Sequence, residues 1–111
     1  MPNRSKQKGS RCERQIVELL RSHGLHSFRV PLSGGCAGFR DDVEVRLPGK
    51  TWRIESKARA NGFSSVYRWL RDSDALVIKA DRQRPLAVLD FEEFAKLLRD
   101  RALLNPASDE G

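Results

Sequence analysis

The chain has 111 residues, of which 39% are hydrophobic and 32% are charged, and its formal net charge is +6 at pH 7. This composition is typical of one globular domain with its own core, and no apolar run is long enough to span a bilayer. Neither a signal-peptide pattern nor the cysteine and histidine spacing of a zinc site is present, so free thiols and residence in the cytoplasm are expected.

The N-terminal part is predicted to be a basic arm followed by a helix. Residues 1–9 show no apolar periodicity and are expected to be disordered. Ser10 and Glu13 have the spacing of a capping box, which predicts a helix from Ser10 to about His23, ended by Gly24. Glu13 lies on the inward face of this helix, an unusual place for a carboxylate. The apolar stripe of that face consists of Ile16, Val17 and Leu20.

A short strand and a β-hairpin are predicted next. Residues 27–30 form the strand, and segment 32–41 forms a glycine-rich loop that lacks the Gly-Lys-Ser/Thr ending of a nucleotide-binding P-loop. Pro48-Gly49 predicts a tight turn between two antiparallel strands, Asp42–Leu47 and Thr51–Lys57.

The hairpin is expected to bring two carboxylates and an amine together. Alternation along the strand places Glu55 and Lys57 on one face, and if Leu47 pairs with Trp52, Asp42 lies opposite Lys57. Such a cluster can hold a divalent metal on a phosphodiester and activate a water molecule beside it. The alternative is an exposed cross-strand salt bridge, worth about 0–1 kcal/mol.

The C-terminal half is predicted to contain a short helix, two strands and a final helix. The helices are Ser64–Asp72 and a segment capped by Asp90 that ends near Arg101, and the strands are 75–80, expected to be central, and 86–89. This order of elements predicts an α/β sandwich with a mixed sheet, in a domain of residues 10–104 followed by a flexible tail, 105–111. The aromatic residues expected to pack rather than stack on bases are Tyr67, Trp69, Phe91 and Phe94.

Residues between Gly9 and Lys57 match one known family in order and spacing. The matching pieces are Gly9-Ser10, Glu13-Arg14, Ile16-Val17, Leu20-Arg21, Gly24, Arg29-x-Pro31-x-Ser33-Gly34, Asp42-Val43 and Glu55-x-Lys57. They resemble the archaeal Holliday-junction resolvase family of the PD-(D/E)xK nuclease superfamily. The superfamily's proline before the aspartate is absent, because Arg40-Asp41 precede Asp42. The resemblance implies a restriction-endonuclease-like α/β sandwich with a central mixed five-stranded sheet flanked by helices.

The resemblance also implies roles for individual residues. Glu13, Asp42 and Glu55 would bind Mg²⁺, for which Mn²⁺ can substitute, and Lys57 would orient the attacking water or stabilise the phosphate. Ser33 would hydrogen-bond a phosphate oxygen or a metal-bound water, and the alternative is a turn-forming serine beside glycines. For Glu13 the alternative is a first-turn acid that complements the helix dipole, worth about 0.3–1 kcal/mol.

The implied activity is that of a metal-dependent, structure-selective DNA endonuclease that acts on four-way junctions as a homodimer. Of the 21 basic residues 15 are arginines, which suit phosphates well. The alternatives are a related nuclease acting on other DNA structures or on duplex, and a catalytically inactive DNA-binding module of the same fold. Candidate DNA contacts, which are alternatively plain surface charges, are Arg11, Arg14, Arg29, Arg40 and Arg59.

The sequence leaves the roles of two further acidic residues near Asp42 undecided. A one-residue change of register would exchange Asp41 for Asp42 on the face of Glu55, although the alternation of the following valines favours Asp42. Glu44 shares that face and either assists the metal or is solvated.

Overall fold

A computed structural model describes residues 4–30 and 42–104 of the chain, with the side chains of residues 11–30 and 43–104. The predicted order of a helix, three strands, a helix, two strands and a helix is confirmed. In this part of the chain no helix is long and apolar enough to cross a membrane. The predicted glycine-rich loop 32–41 and the tail 105–111 lie outside the described residues. The elements are α1 (Arg4–Ser22), β1 (His26–Val30), β2 (Asp42–Leu47), β3 (Lys50–Glu55), α2 (Ser64–Leu70), β4 (Leu76–Ile78), β5 (Leu86–Val88) and α3 (Phe91–Leu104).

The strands form two antiparallel sheets. β2 lies between β1 and β3, and β4 pairs with β5 in a separate sheet. The prediction of one central mixed five-stranded sheet was therefore wrong for the described residues, although the mixed α/β character is confirmed.

The apolar run 75–80 was wrongly predicted to be a central strand. It contributes three residues to β4, and Val77 is 66% exposed, whereas a central strand is covered on both faces. A turn in which the Gln83 N–H donates to the Ala80 carbonyl (3.2 Å) returns the chain at once, so β4 pairs with β5, its neighbour in sequence. Continuous apolar character does not tell a buried central strand from one strand of a short hairpin.

The first helix is longer than predicted. α1 begins at Arg4, so residues 4–9, which were expected to be disordered, are helical and Ser10 lies within the helix rather than at its cap. The physical reason is that arginine, lysine and glutamine have high helix propensity even where no apolar stripe is present.

The C-terminal end of α1 is closed by a Schellman motif. The Gly24 N–H donates to the Arg21 carbonyl (2.9 Å), and the Leu25 N–H donates to the Leu20 carbonyl (3.1 Å). Gly24 has φ +79°, a conformation that glycine adopts without steric cost. Leu20 and Leu25 are both buried, so the predicted glycine stop also directs the chain into the core.

One face of the three-stranded sheet packs against α1 and α3. Alternation along β2 buries Val43, Val45 and Leu47 on this face, and Trp52 and Ile54 of β3 pack against them. The helices complete the core with the buried residues Val17, Leu20, Ala95 and Leu98.

The last helix is fixed at its start. Asp90 caps α3 as predicted, because its Oδ1 accepts hydrogen bonds from the N–H groups of Glu92 (2.8 Å) and Glu93 (3.4 Å). Phe94 meets the ring of Trp52 edge-on with 5.9 Å between centroids, which holds α3 against β3. The predicted packing roles of Phe91 and Phe94 are thereby confirmed.

Candidate active site

The β2–β3 turn determines which residues of the hairpin face each other. Leu47 pairs with Lys50, not with Trp52 as expected, so Pro48-Gly49 alone connects the strands. Gly49 has φ +81°, which fits the third position of a type II turn after a proline. The expected pairing was wrong because the turn is two residues shorter than assumed.

This register makes Asp42 the direct partner of Glu55. We expected Asp42 to lie opposite Lys57, but β3 ends at Glu55 and Lys57 follows the strand. The observed pairing differs from the expected one by two residues. Because side chains alternate between the two faces of a sheet with a period of two, each residue of β3 stays on the face that was expected. Directly paired residues of an antiparallel ladder are separated by about 4.5–5.5 Å between Cα atoms, so two acidic residues occupy one rung at the end of the hairpin.

Lys57 joins this rung through an ion pair. Its Nζ lies 3.2 Å from the Glu55 Oε2, and both side chains are about half exposed. An ion pair this exposed contributes little to stability, about 0–1 kcal/mol. The contact brings an ammonium group next to the acidic rung, as the Glu-x-Lys pattern predicted.

A second ion pair is buried beneath α1. Glu13 is 5% exposed, which confirms its predicted inward position, and its Oε1 lies 3.1 Å from the Arg29 Nη2. A carboxylate removed from water needs charge and hydrogen-bond partners to remain ionised. Arg29, predicted to contact DNA, therefore has Glu13 as a partner inside the protein.

The two ion pairs lie on adjacent rungs and on opposite faces of the sheet. Arg29 pairs with Val43 on the face covered by α1, whereas Glu55, which pairs with Asp42 on the next rung, lies on the other face. Among residues 11–30 and 43–104, no three histidine, cysteine, aspartate or glutamate side chains lie close enough to hold a metal. The side chain of Asp42 lies outside that set.

The remaining predicted site residues divide into three groups. Arg11, Arg14 and Arg59 are exposed, as phosphate contacts must be. Glu44 is half-buried and lies directly across from Arg53, an opposite charge on the neighbouring strand. Three predicted residues lie outside the described part of the chain, namely Ser33, Arg40 and Asp41.

Sequence reasoning missed an open cleft beside Lys57, which we call the basic cleft. Cys12 of α1 lines it on one side, and the β3–α2 connection and α2 line it on the other, around a volume of roughly 650 Å³. Tyr67 was expected to pack but is 73% exposed here, and Trp69 is 57% exposed, so both packing predictions were wrong. The sequence signal that could have indicated this cleft was the helical spacing of Ser64, Tyr67, Arg68 and Arg71, which places them on one side of α2. Its charged and aromatic lining residues are Lys57, Arg59, Phe63, Tyr67, Arg68 and Arg71.

Comparison with known proteins identifies one family. The model of the family described as archaeal Holliday junction resolvase (Hjc) matches residues 4–90, which is well over half of the chain. The match includes every element from α1 to β5. No curated protein and no solved structure matches the chain.

The contribution of the buried ion pair to the free energy of unfolding can be tested by substitution. We expect Arg29→Met to lower the free energy of unfolding by about 2 kcal/mol, because the charge partner of a buried carboxylate is removed while Arg29 itself is partly exposed. Adding Glu13→Gln should recover most of this loss, since a neutral amide is less costly to bury. Urea denaturation of the two single variants and the double variant measures the coupling. Losses that simply add in the double variant would contradict the coupling.

Proposed function

Because the chain belongs to the archaeal Holliday junction resolvase family, we propose that it is a metal-dependent endonuclease that hydrolyses phosphodiester bonds in four-way DNA junctions. The observation that carries the proposal is the pairing of Asp42 with Glu55 on one rung, with the Lys57 ammonium 3.2 Å from the Glu55 carboxylate. Two acids and an amine at one point suit phosphodiester hydrolysis better than they suit stability.

The donor set fits a hard divalent cation. Mg²⁺ is bound in proteins through one or two carboxylates and keeps several waters, so Asp42 and Glu55 together meet its need. A bound Mg²⁺, or Mn²⁺ in its place, supplies charge stabilisation at the phosphate and a more acidic water. The resemblance also implies Glu13 as a metal ligand, but its ion pair with Arg29 lies on the opposite face of the sheet from Glu55, so we do not include it in this donor set.

Lys57 is proposed to act on the phosphate or on the attacking water. Its ammonium has three donors, and the contact with Glu55 uses one side of the group, which leaves N–H groups for a non-bridging oxygen or a water. A fixed cation there favours the charge that develops as the phosphorus gains a fifth oxygen. Ser33 remains a proposed hydrogen-bond donor to the same phosphate or water.

The DNA surface is proposed to be basic, and the protein is proposed to work in the cytoplasm as a homodimer. Arg11, Arg14 and Arg59, together with Arg40, are the proposed phosphate contacts.

Two strands of a junction are cut symmetrically when two active sites are related by a twofold axis. Support for a dimer comes from two exposed apolar side chains on one stripe of α3. They are Leu97 and Leu104, which are 58% and 80% exposed.

Cleavage of a labelled four-way junction tests the proposed activity. Mg²⁺ or Mn²⁺ should support symmetric nicking that EDTA abolishes. Glu55→Gln should lower the rate on the order of a thousandfold through loss of a metal ligand, and Lys57→Ala roughly 10²–10³-fold. The matched control is Glu18→Gln, an exposed acid on α1 that should cut normally.

The same experiment separates the alternatives. Cleavage of linear duplex without a preference for the junction would retain a nuclease and discard the junction. Tight binding with no metal-dependent cleavage of either DNA would instead favour a catalytically inactive binding module.

The basic surface predicts a steep dependence of affinity on salt. Each phosphate contact releases counterions, so the logarithm of the binding constant should fall linearly with the logarithm of salt concentration. Arg11→Ala should reduce that slope by about one and weaken binding to all sequences alike. Arg101→Ala, an exposed arginine near the end of α3, is the control and should leave the slope unchanged. A wild-type affinity that does not respond to salt would refute a phosphate-binding surface.

Light scattering at concentrations where junctions are cut tests the dimer. The wild-type protein should have twice the mass of one chain, and combined Leu97→Glu and Leu104→Glu should shift it to the monomer, because these two residues share one stripe of α3. Val77→Glu changes an equally exposed apolar residue on β4 and should leave the mass unchanged. A monomeric wild-type protein under these conditions would rule out the dimer.

A further inference from the structure

The basic cleft concentrates positive charge without acidic neighbours among its lining residues. Lys57, Arg59, Arg68 and Arg71 line it. Within the described residues, the guanidinium groups of the three arginines make no ion pair, whereas Lys57 contacts Glu55. Cations grouped in this way repel one another, so a polyanion in the cleft would relieve the repulsion.

The cleft also displays aromatic rings. Tyr67 is 73% exposed and Phe63 is 36% exposed, although both line a concave surface. A positively charged groove combined with aromatic rings is the arrangement that binds single-stranded nucleic acid, because each base can stack on a ring while its phosphate contacts a cation.

The geometry of α2 determines this display. Val66 and Leu70, one helical turn apart, are the partly buried apolar residues of the helix. Ser64, Tyr67, Arg68 and Arg71 then recur at helical spacing on the side that lines the cleft. The charges and the ring are therefore presented together on one face of the helix.

Paired DNA and a second copy of the chain fit the cleft less well. In a duplex the base faces are stacked on each other, so an exposed ring has no base to cover. A twofold contact through this cleft would bring the same four cations face to face, and like charges across an interface are unfavourable.

We propose that the basic cleft binds an unpaired stretch of a DNA strand, with Arg59, Arg68 and Arg71 on its phosphates and Tyr67 stacked on a base. The inference rests on the proposed function, since the bound strand is part of the substrate. Lys57 belongs both to the cleft and to the acidic rung, so a strand in the cleft leads directly to the phosphate that is cut.

Binding of a fluorescent 12-nucleotide oligothymidine to the full chain in EDTA tests the inference. Tyr67→Ala should weaken binding on the order of tenfold through loss of stacking, whereas Tyr67→Phe, which keeps the ring, should bind normally. Trp69→Ala is the matched control, because Trp69 is 57% exposed on the same helix but does not line the cleft. Binding of a fully paired duplex should not respond to Tyr67→Ala.

The salt dependence separates stacking from charge. Tyr67→Ala should leave the slope of affinity against salt unchanged, and Arg71→Ala should reduce it by about 0.7, the value for one contact to a single strand. The inference is overturned if Tyr67→Ala binds the oligonucleotide like the wild type or weakens duplex equally. Conversion of a dimer to a monomer by Tyr67→Ala, seen by light scattering, would overturn it in favour of a contact between copies.

Failure of this inference and failure of the proposed function give different results. Binding in EDTA requires no cleavage, so Tyr67-dependent binding by a protein that cuts no DNA would keep the cleft and remove the nuclease. Normal metal-dependent cleavage with oligonucleotide binding indifferent to Tyr67 would keep the nuclease and remove the cleft.

Discussion

The two-residue turn at Pro48-Gly49 determines the register on which both the core and the acidic rung depend. That register buries Val43 and Val45 and, in the same strand, makes Asp42 the partner of Glu55. A slip of one residue would expose the valines, at a cost of about 1.5–3 kcal/mol for each side chain. The apolar residues of the hairpin thus determine which acidic residues pair, because burial specifies the register more strongly than any exposed charge pair can.

Stability and chemistry are distributed differently between the two ion pairs. The pair Glu55–Lys57 is half exposed, so the fold depends little on it, and under the proposed function its residues would be available for metal, water and phosphate. The pair Glu13–Arg29 is buried on the adjacent rung, so it is coupled to the packing of α1 against the sheet. A substitution at Glu13 is therefore expected to affect folding, whereas a substitution at Glu55 should leave the fold largely unchanged and so test the proposed chemistry by itself.

Sequence patterns predicted the face of an element on which a residue lies better than they predicted the residue with which it pairs. The inward position of Glu13, the Asp90 cap and the stop at Gly24 depend on neighbours within a few residues, and the structure agrees with all three. The pairing of Asp42 with Glu55 needed the exact turn length, which two turn-forming residues leave open by a residue on either side. The exposure of Tyr67 could not be predicted for a related reason. The helical spacing of an aromatic residue shows on which side of the helix it lies, but not whether another element covers that side.

Lys57 is the point where two opposite local charges meet. On one side lies the rung of Asp42 and Glu55, and on the other lies a cleft lined by arginines. A phosphodiester is attracted to the cleft but repelled by two carboxylates, unless a cation lies between the acids and the phosphate. Under the two proposals, the charge pattern would let a DNA strand bind without metal while opposing close approach of its scissile phosphate to the acidic rung. Net charge alone cannot make this distinction, because in this proposal the boundary between the acidic rung and the basic cleft is what separates binding from cleavage.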